Sequence, residues 1–216
     1  MQRRNCLSLL ALAAGSPLAL AQGTPQEGVD YRRLSQPLAT STPGKIELIE
    51  FFWYGCPHCF VFDPALKQWL SALPADVSFR RVHVGFGALH RLHQRFFYAL
   101  EALGLEDTLH DRVFKAFHVD NENVDSDNAL QALAIKLGVD GAKFRQAWAS
   151  FGVQSKCMQA TRLSEDFRID GVPSLGIGGR FLTAPSMAGR RGMSEQQIGM
   201  AALRVTDYLL GLMRQG

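Results

Sequence analysis

Apolar positions along the chain change their spacing in a fixed order. Residues 46–52, IELIEFF, form an almost unbroken apolar run broken only by Glu47 and Glu50. Such a β-branched and aromatic run fits a central strand buried on both faces, at an interior position of a parallel sheet. Phe60, Phe62, Leu66, Trp69 and Leu70 then recur at helical spacing. Pro64 interrupts that helix and is expected to kink it, because proline removes an internal hydrogen bond. Residues 77–84 return to an imperfect alternation that ends at Gly85-Phe86-Gly87, which predicts the next strand. Upstream, residues 31–38 are a candidate first strand and 41–44 a turn.

The middle of the chain is helical throughout. Leu89, Leu92, Phe96, Leu100 and Leu103 mark a first helix stopped by Gly104, and Leu109, Val113, Phe114 and Phe117 a second. After a polar break at 120–127, residues 129–137 predict a third helix ending at Gly138. Asp140 is the N-cap of a fourth that carries Phe144, Trp148 and Phe151. So many helices cannot all be crossovers within a small sheet. Residues 87–152 therefore read as an inserted helical subdomain between two parts of one α/β domain, 22–86 and 153–216. Residues 153–169 form a long helix leading back to the sheet. Gly171-Val172-Pro173 then turns into a strand at 174–178, and Gly178-Gly179 signals a hairpin to a partner at 180–183. Ser194 with Gln197 three residues later is a capping box for a last helix that runs to about Met213. No internal repeat or low-complexity segment interrupts the pattern.

The chemistry sits where the central strand ends. Trp53-Tyr54-Gly55 turns the chain, and Cys56-Pro57-His58-Cys59 opens the following helix. A strand that ends in a C-x-x-C helix N-terminus is the redox arrangement of the thioredoxin fold. Two cysteines three apart on one helical turn lie about 4.5 Å apart along the axis, close enough for a disulfide. Pro57 fits the first helical position, where a missing N–H costs nothing. Cys56 is the expected substrate-facing thiol. The helix dipole, the free backbone N–H groups, His58 and the Cys59 S–H all favour its thiolate. Cys59 is the expected resolving partner, one turn in and less accessible. A passive staple is a poor alternative, since a four-residue loop closes very little chain. Zinc is another poor alternative, because a structural site needs about four ligands and no second pair follows at finger spacing.

Several flanking residues carry two readings. Glu50, six residues before Cys56, reads as a proton acceptor for Cys59 through water, or as a carboxylate partly solvated at a strand end. Glu47 reads as the ordinary member of the pair. Trp53 and Tyr54 line an apolar peptide groove or pack in the core, and core is the reading for Phe60. Val172 is expected to offer its backbone to a substrate strand, with Pro173 removing an N–H beside it. His90 and His93 read as a solvated helix face rather than a metal pair. Cys157 falls on the buried stripe of its helix and reads as a small hydrophobe.

Composition narrows the compartment. The first residues have the plan of a secretory signal: Arg3 and Arg4, an apolar stretch from Cys6 to Ala14, and a small-residue cleavage site at Ala19-Leu20-Ala21. Residues 1–21 are therefore expected to be removed, with Gln22 as the mature N-terminus. Losing Arg3 and Arg4 takes the formal charge from +3 to near +1, which is no footprint for nucleic acid. Cys6 leaves with the signal, so the mature chain keeps Cys56, Cys59 and Cys157. Export to the periplasm suits a disulfide-forming pair.

The sequence EFFWYGCPHC, with GVPS at Gly171–Ser174 far downstream, resembles the DsbA family of bacterial periplasmic thiol:disulfide oxidoreductases. The resemblance covers nearly the whole mature chain in order and length. It implies a thioredoxin-like α/β fold with an inserted α-helical subdomain, and Pro173 as a cis-proline facing the disulfide. It further implies oxidation of reduced exported proteins by a Cys56–Cys59 disulfide without a cofactor. A monomer reoxidised by a DsbB-like membrane quinone reductase would follow. Ser174 departs from the Thr or Ala of many relatives. The rivals are a disulfide reductase or isomerase, and a non-catalytic chaperone or metal-binding module. Isomerases of this kind carry an N-terminal dimerisation domain, for which the short stretch before the first strand leaves no room.

Overall fold

The computed structural model describes residues 23–215, and the expected leader, its cleavage after Ala21 and Cys6 lie outside them. Five strands form one mixed sheet in the order β1-β5-β4-β2-β3. They are β1 (Tyr31–Arg33), β2 (Ile46–Phe52), β3 (Val77–His83), β4 (Ser174–Ile177) and β5 (Phe181–Thr183). The apolar run at Ile46–Phe52 is the central strand, as its pattern requires, and all but its first residue are buried. It runs parallel to β3 on one side and antiparallel to β4 on the other, so the interior position is mixed rather than wholly parallel. The β2–β3 register sets Glu50 opposite Arg81. The expected first strand is only three residues long, paired antiparallel with β5.

Helix α1 (Pro57–Leu70) follows β2 directly and keeps Pro64 inside it. The helical layer comprises α2 (Ala88–Ala102), α3 (Glu106–His118), α4 (Asp127–Lys136), α5 (Gly141–Ala149) and α6 (Phe151–Asp166). Two short-range signals set its joints. Asp140 caps α5 by accepting from the Lys143 N–H at 2.8 Å. Ser150 caps α6 by accepting from the Val153 N–H at 3.2 Å. The second cap splits what the apolar pattern reads as one helix through Phe151. Phe151 instead starts α6 and is 78% exposed. A cap of this kind contributes about 1 kcal/mol, enough to place a break where the stripe alone does not.

The chain returns through the β4–β5 hairpin, whose turn uses Gly178 and Gly179 at φ +58° and +63°. A Cβ on Gly179 would meet the Leu38 carbonyl oxygen at 2.3 Å, so glycine is required there on two counts. A four-residue helix, α7 (Pro185–Ala188), which the pattern does not signal, precedes α8 (Glu195–Gln215). The capping box at the start of α8 forms reciprocally. Gln197 N–H donates to Ser194 Oγ at 3.3 Å, and Ser194 N–H donates to Gln197 Oε1 at 2.8 Å.

The sheet is buried on both faces. One face packs Ile49, Phe51, Val82 and Leu182 against Phe96, Phe97, Val113, Phe114 and Phe144 of the helical layer. The other packs Leu48, Leu175 and Ile177 against Phe62 and Leu66 of α1 and Ala202, Leu209 and Leu210 of α8. The helical layer thus completes the sheet's own core. Among the described residues no helix is long and apolar enough to cross a membrane.

Candidate active site

The corner between β2 and α1 is built by aromatic and imidazole groups. The Cys56 N–H donates to the Trp53 carbonyl at 3.0 Å, which closes the turn. Gly55 allows it, since a Cβ there would meet the Trp53 ring at 2.4 Å. Trp53 Nε1 donates to His93 Nδ1 at 2.9 Å, and His93 Nε2 donates to the Val124 carbonyl at 2.7 Å. His93 is therefore buried in the corner and not on a solvated helix face; His90, half-buried, packs tilted against the Trp53 ring with centroids 4.1 Å apart. Trp53 is half-buried, but Tyr54 is fully buried. The groove reading of Tyr54 is corrected: its hydroxyl lies 3.1 Å from His110 Nδ1, inside the core. Phe60 is half-buried and stacks on His118 at 4.9 Å.

Cys56 is the N-cap of α1, with extended backbone, and its Sγ accepts from the Cys59 N–H at 3.3 Å. Its thiol reaches the Val172 carbonyl at 3.5 Å, which brings the two distant motifs together. Pro57 holds the first helical position. The Val172–Pro173 bond is cis, and Ser174 Oγ donates to the Gly171 carbonyl at 2.7 Å. The Cys59 thiol, donating to Cys56 Sγ, lowers the Cys56 pKa to about 7 against the pull of burial. The backbone N–H groups of Cys59 and His58, and then the His58 charge, act in the same direction. Cys59 moves the other way. Burial above all, then the neighbouring Cys56 and Glu50, push its thiol well above the ordinary value. Both cysteines are free thiols here.

The His58 ring pairs with a carboxylate from the far end of the chain. Its Nδ1 is 2.8 Å from Glu195 Oε1 at the start of α8, and both side chains are more than half exposed. This pair shares a groove of about 290 Å³ with Val61, Phe62, Val172, Pro173 and Ile198. A larger cleft of about 900 Å³ lies between α2 and α6 and contains Cys157. Cys157 is half-buried, and burial raises its thiol to about 11.

Beneath Cys59 lies a charged cluster that the linear sequence does not announce. Arg81 Nε donates to Glu50 Oε2 at 3.0 Å, and its Nη2 reaches Asp63 Oδ1 at 3.4 Å. His110 Nε2 lies 3.2 Å from the same Asp63 oxygen, and its Nδ1 lies 3.4 Å from Glu106 Oε1. Lys67 closes the outer side, 2.7 Å from Asp63 Oδ2 and paired with Asp111. The three carboxylates do not behave alike. Burial lifts Glu50 above the usual carboxylate range in spite of Arg81. Asp63 and Glu106 are desolvated too. Hydrogen bonds from His110 and Lys67 nevertheless hold Asp63 low, and a hydrogen bond from His110 with the charge of Arg81 holds Glu106 low. Glu50 is thus the carboxylate of the cluster that takes a proton most readily. Glu47, on the same strand, is buried as well, but hydrogen bonds from Arg80 and Ser41 overcome the cost of burial and hold it low.

Arg81, Asp63 and His110 were within reach of pattern reasoning only in part. The parallel pairing of β2 with β3 sets Arg81 beside Glu50, and Asp63 precedes Lys67 by one helical turn. His110 adjoins Leu109 on the second apolar stripe and gives no local signal of its partners. Among the described residues no group of three or more His, Cys, Asp or Glu is placed to hold a metal ion.

Comparison with known proteins agrees with this arrangement. The family model described as a DSBA-like thioredoxin domain matches residues 89–191. The thiol:disulfide interchange protein DsbA of Bordetella pertussis is 37% identical over 212 residues, covering 97% of this chain and 98% of that one. Its Pseudomonas aeruginosa counterpart is 34% identical over 203 residues, covering 94% and 92%. The crystal structure of Pseudomonas aeruginosa DsbA superposes with a TM-score of 0.80 at 34% identity, covering 87% of this chain and 94% of that one. The oxidoreductase DsbA from Xylella fastidiosa gives 0.79 at 27% identity, covering 90% and 100%.

Proposed function

The chain belongs to the DsbA family of thiol:disulfide interchange proteins, and from that premise we propose that Cys56 and Cys59 are the pair through which it oxidises other proteins. It has the thioredoxin-like DsbA fold and is a thiol:disulfide oxidoreductase of oxidative protein folding. The observation that carries the assignment is the opposite behaviour of two thiols on one helical turn, about 7 for Cys56 and well above ordinary for Cys59.

A substrate thiolate attacks Cys56 Sγ of the Cys56–Cys59 disulfide. The S–S bond breaks, a mixed disulfide forms at Cys56, and Cys59 departs and takes up a proton. A second substrate thiolate then attacks the substrate sulfur and expels Cys56 as a thiolate, which its lowered pKa favours. Two electrons have passed to the enzyme and a disulfide to the substrate. On reoxidation Cys59 must lose its proton again. Glu50 is its acceptor through water, a role supported by its raised pKa and its place beneath Cys59. Pro57 presents the first turn. His58 supports the thiolate by its backbone N–H more than by its ring. Val172 and Pro173 line the path of the substrate segment, with Pro173 offering no N–H to compete, while Trp53 lies outside that lining and buttresses the Cys56 turn through His93.

The reduced partners are exported proteins of the periplasm, and a DsbB-like membrane quinone reductase reoxidises the monomer. Residues 1–21 are the removed leader. Residues 22–86 and 153–216 form the thioredoxin-like domain, and 87–152 the inserted helical subdomain. One observation favours a reductase instead: a thiol near 7 is a weaker leaving group than the strongest dithiol oxidants possess. The reduction potential in a glutathione buffer separates the two. An oxidant lies toward about −120 mV and a thioredoxin-like reductant near about −270 mV. A value at the lower end would overturn the assignment as an oxidase.

A further inference from the structure

The groove beside Cys56 has apolar walls from Val61, Phe62, Val172, Pro173 and Ile198, and its lining includes one acidic side chain, Glu195. That carboxylate opens α8, 2.8 Å from His58, and remains 54% exposed. Among the described residues of that lining His58 is the only basic side chain, and it already faces Glu195. Val172 joins the groove to the reacting sulfur, since its carbonyl lies 3.5 Å from Cys56 Sγ. A cysteine-bearing segment that reaches Cys56 through this groove therefore brings its neighbouring side chains past Glu195. Walls of low polarity strengthen the interaction of such a charge with its surroundings.

We infer that Glu195 is a specificity-determining residue that favours substrate segments carrying a lysine or arginine beside the reacting cysteine. The inference rests on the groove receiving substrate, as the proposed function holds. A basic side chain shares the carboxylate with His58 or displaces it. An acidic one meets like charge at the groove wall. The plainer role of Glu195, an acid stabilising the first turn of its helix, would be blind to substrate charge.

The test uses the oxidised protein and two reduced dithiol peptides, identical except for Lys or Glu on both sides of each cysteine. Stopped-flow measurement gives the second-order rate of disulfide transfer to each. The quantity read is the Lys-to-Glu rate ratio compared between protein variants, so the intrinsic reactivity of the peptide thiols cancels. An exposed charge pair supports roughly a two- to fivefold preference. Glu195→Gln should lower the ratio by that factor, and Glu195→Lys should lower it further, with the Glu peptide gaining. In about 1 M salt, where screening acts within about 3 Å, the difference in ratio between wild type and Glu195→Gln should close. A ratio unchanged by both substitutions would overturn the inference and leave the oxidase assignment standing. Failure to oxidise either peptide would overturn both.

Discussion

Around Cys56 the molecule offers an apolar groove and an exposed His58–Glu195 pair; beneath Cys59 it offers buried Glu50, Arg81, Asp63 and His110 locked together. One helical turn separates the two regions, and they act on the thiols in opposite senses. At the rim, hydrogen bonds from Cys59 and from free N–H groups stabilise a sulfur anion, and the His58 charge contributes least. At the floor, desolvation and the nearby Glu50 oppose an anion. An identical side chain thus becomes a leaving group or a held proton according to which region it faces. The floor is the more expensive to build: each buried ion carries a desolvation penalty of several kcal/mol, recovered only while the partners stay in place.

Removing either thiol breaks the comparison outright and gives the largest effect. Cys56→Ser should abolish disulfide transfer to a reduced peptide. Cys59→Ser leaves Cys56 as a lone thiolate, which should attack the disulfide of an oxidised peptide, displace one of its sulfurs as thiolate and accumulate as a mixed disulfide, read by intact mass. Trapping at Cys59 in the first variant would reverse the roles.

The floor should fail next. Arg81→Met leaves Glu50 and Asp63 without their shared cation and should cost about 3–5 kcal/mol in urea unfolding of the reduced protein. Breaking the rim pair with Glu195→Gln should cost under about 1 kcal/mol, because that pair is exposed. Similar losses in both variants would contradict the contrast.

Glu50→Gln keeps the shape and removes the proton acceptor. Reoxidation by a small-molecule disulfide and disulfide transfer to a reduced peptide should both slow, by about 10²-fold where the Cys59 proton transfer limits the rate, with alkylation of the Cys56 thiolate little changed. Loss of Cys56 alkylation along with both rates would mean that Glu50 acts on structure alone.

The stability of the reduced protein should follow Cys56 over a defined pH window. A depressed thiol pKa contributes stability that is full above the unfolded value, about 8.5, and lost as pH falls through about 7. The stability difference between wild type and Cys56→Ala should therefore grow by about 2 kcal/mol from below pH 7 to pH 9. Cys59 opposes this: its raised pKa contributes stability below about 8.5 that is lost at higher pH, so the variant comparison is needed to isolate Cys56. The smallest change is His58→Phe, which should raise the Cys56 midpoint only slightly, since the backbone N–H of residue 58 remains.

The rim was readable in the sequence and the floor was not, for a physical reason. C-x-x-C, Pro57 and the strand before them act over a few residues, so spacing alone places Cys56 at a helix start. Asp140 and Ser194 with Gln197 are local in the same way. Glu50 stood out as a carboxylate in an apolar run, but its partners come from β3, α1 and α3, joined only by folding. Tyr54 and His93 misled because aromatic and imidazole groups look alike in sequence whether they line a groove or satisfy each other inside a core. Ser150 hid inside a continuous apolar stripe, and only its side-chain bond to Val153 reveals the break.

One helical turn splits two like thiols into opposite behaviour. Titrating the reduced protein from pH 4 to 10, with thiolate absorbance as the signal and Cys56→Ser and Cys59→Ser as assignments, tests it directly. A midpoint at about 7 that vanishes in Cys56→Ser is expected, with no Cys59 thiolate below about pH 9. Two thiols titrating together near the ordinary value of about 8.5, or Cys59 ionising first, would contradict it.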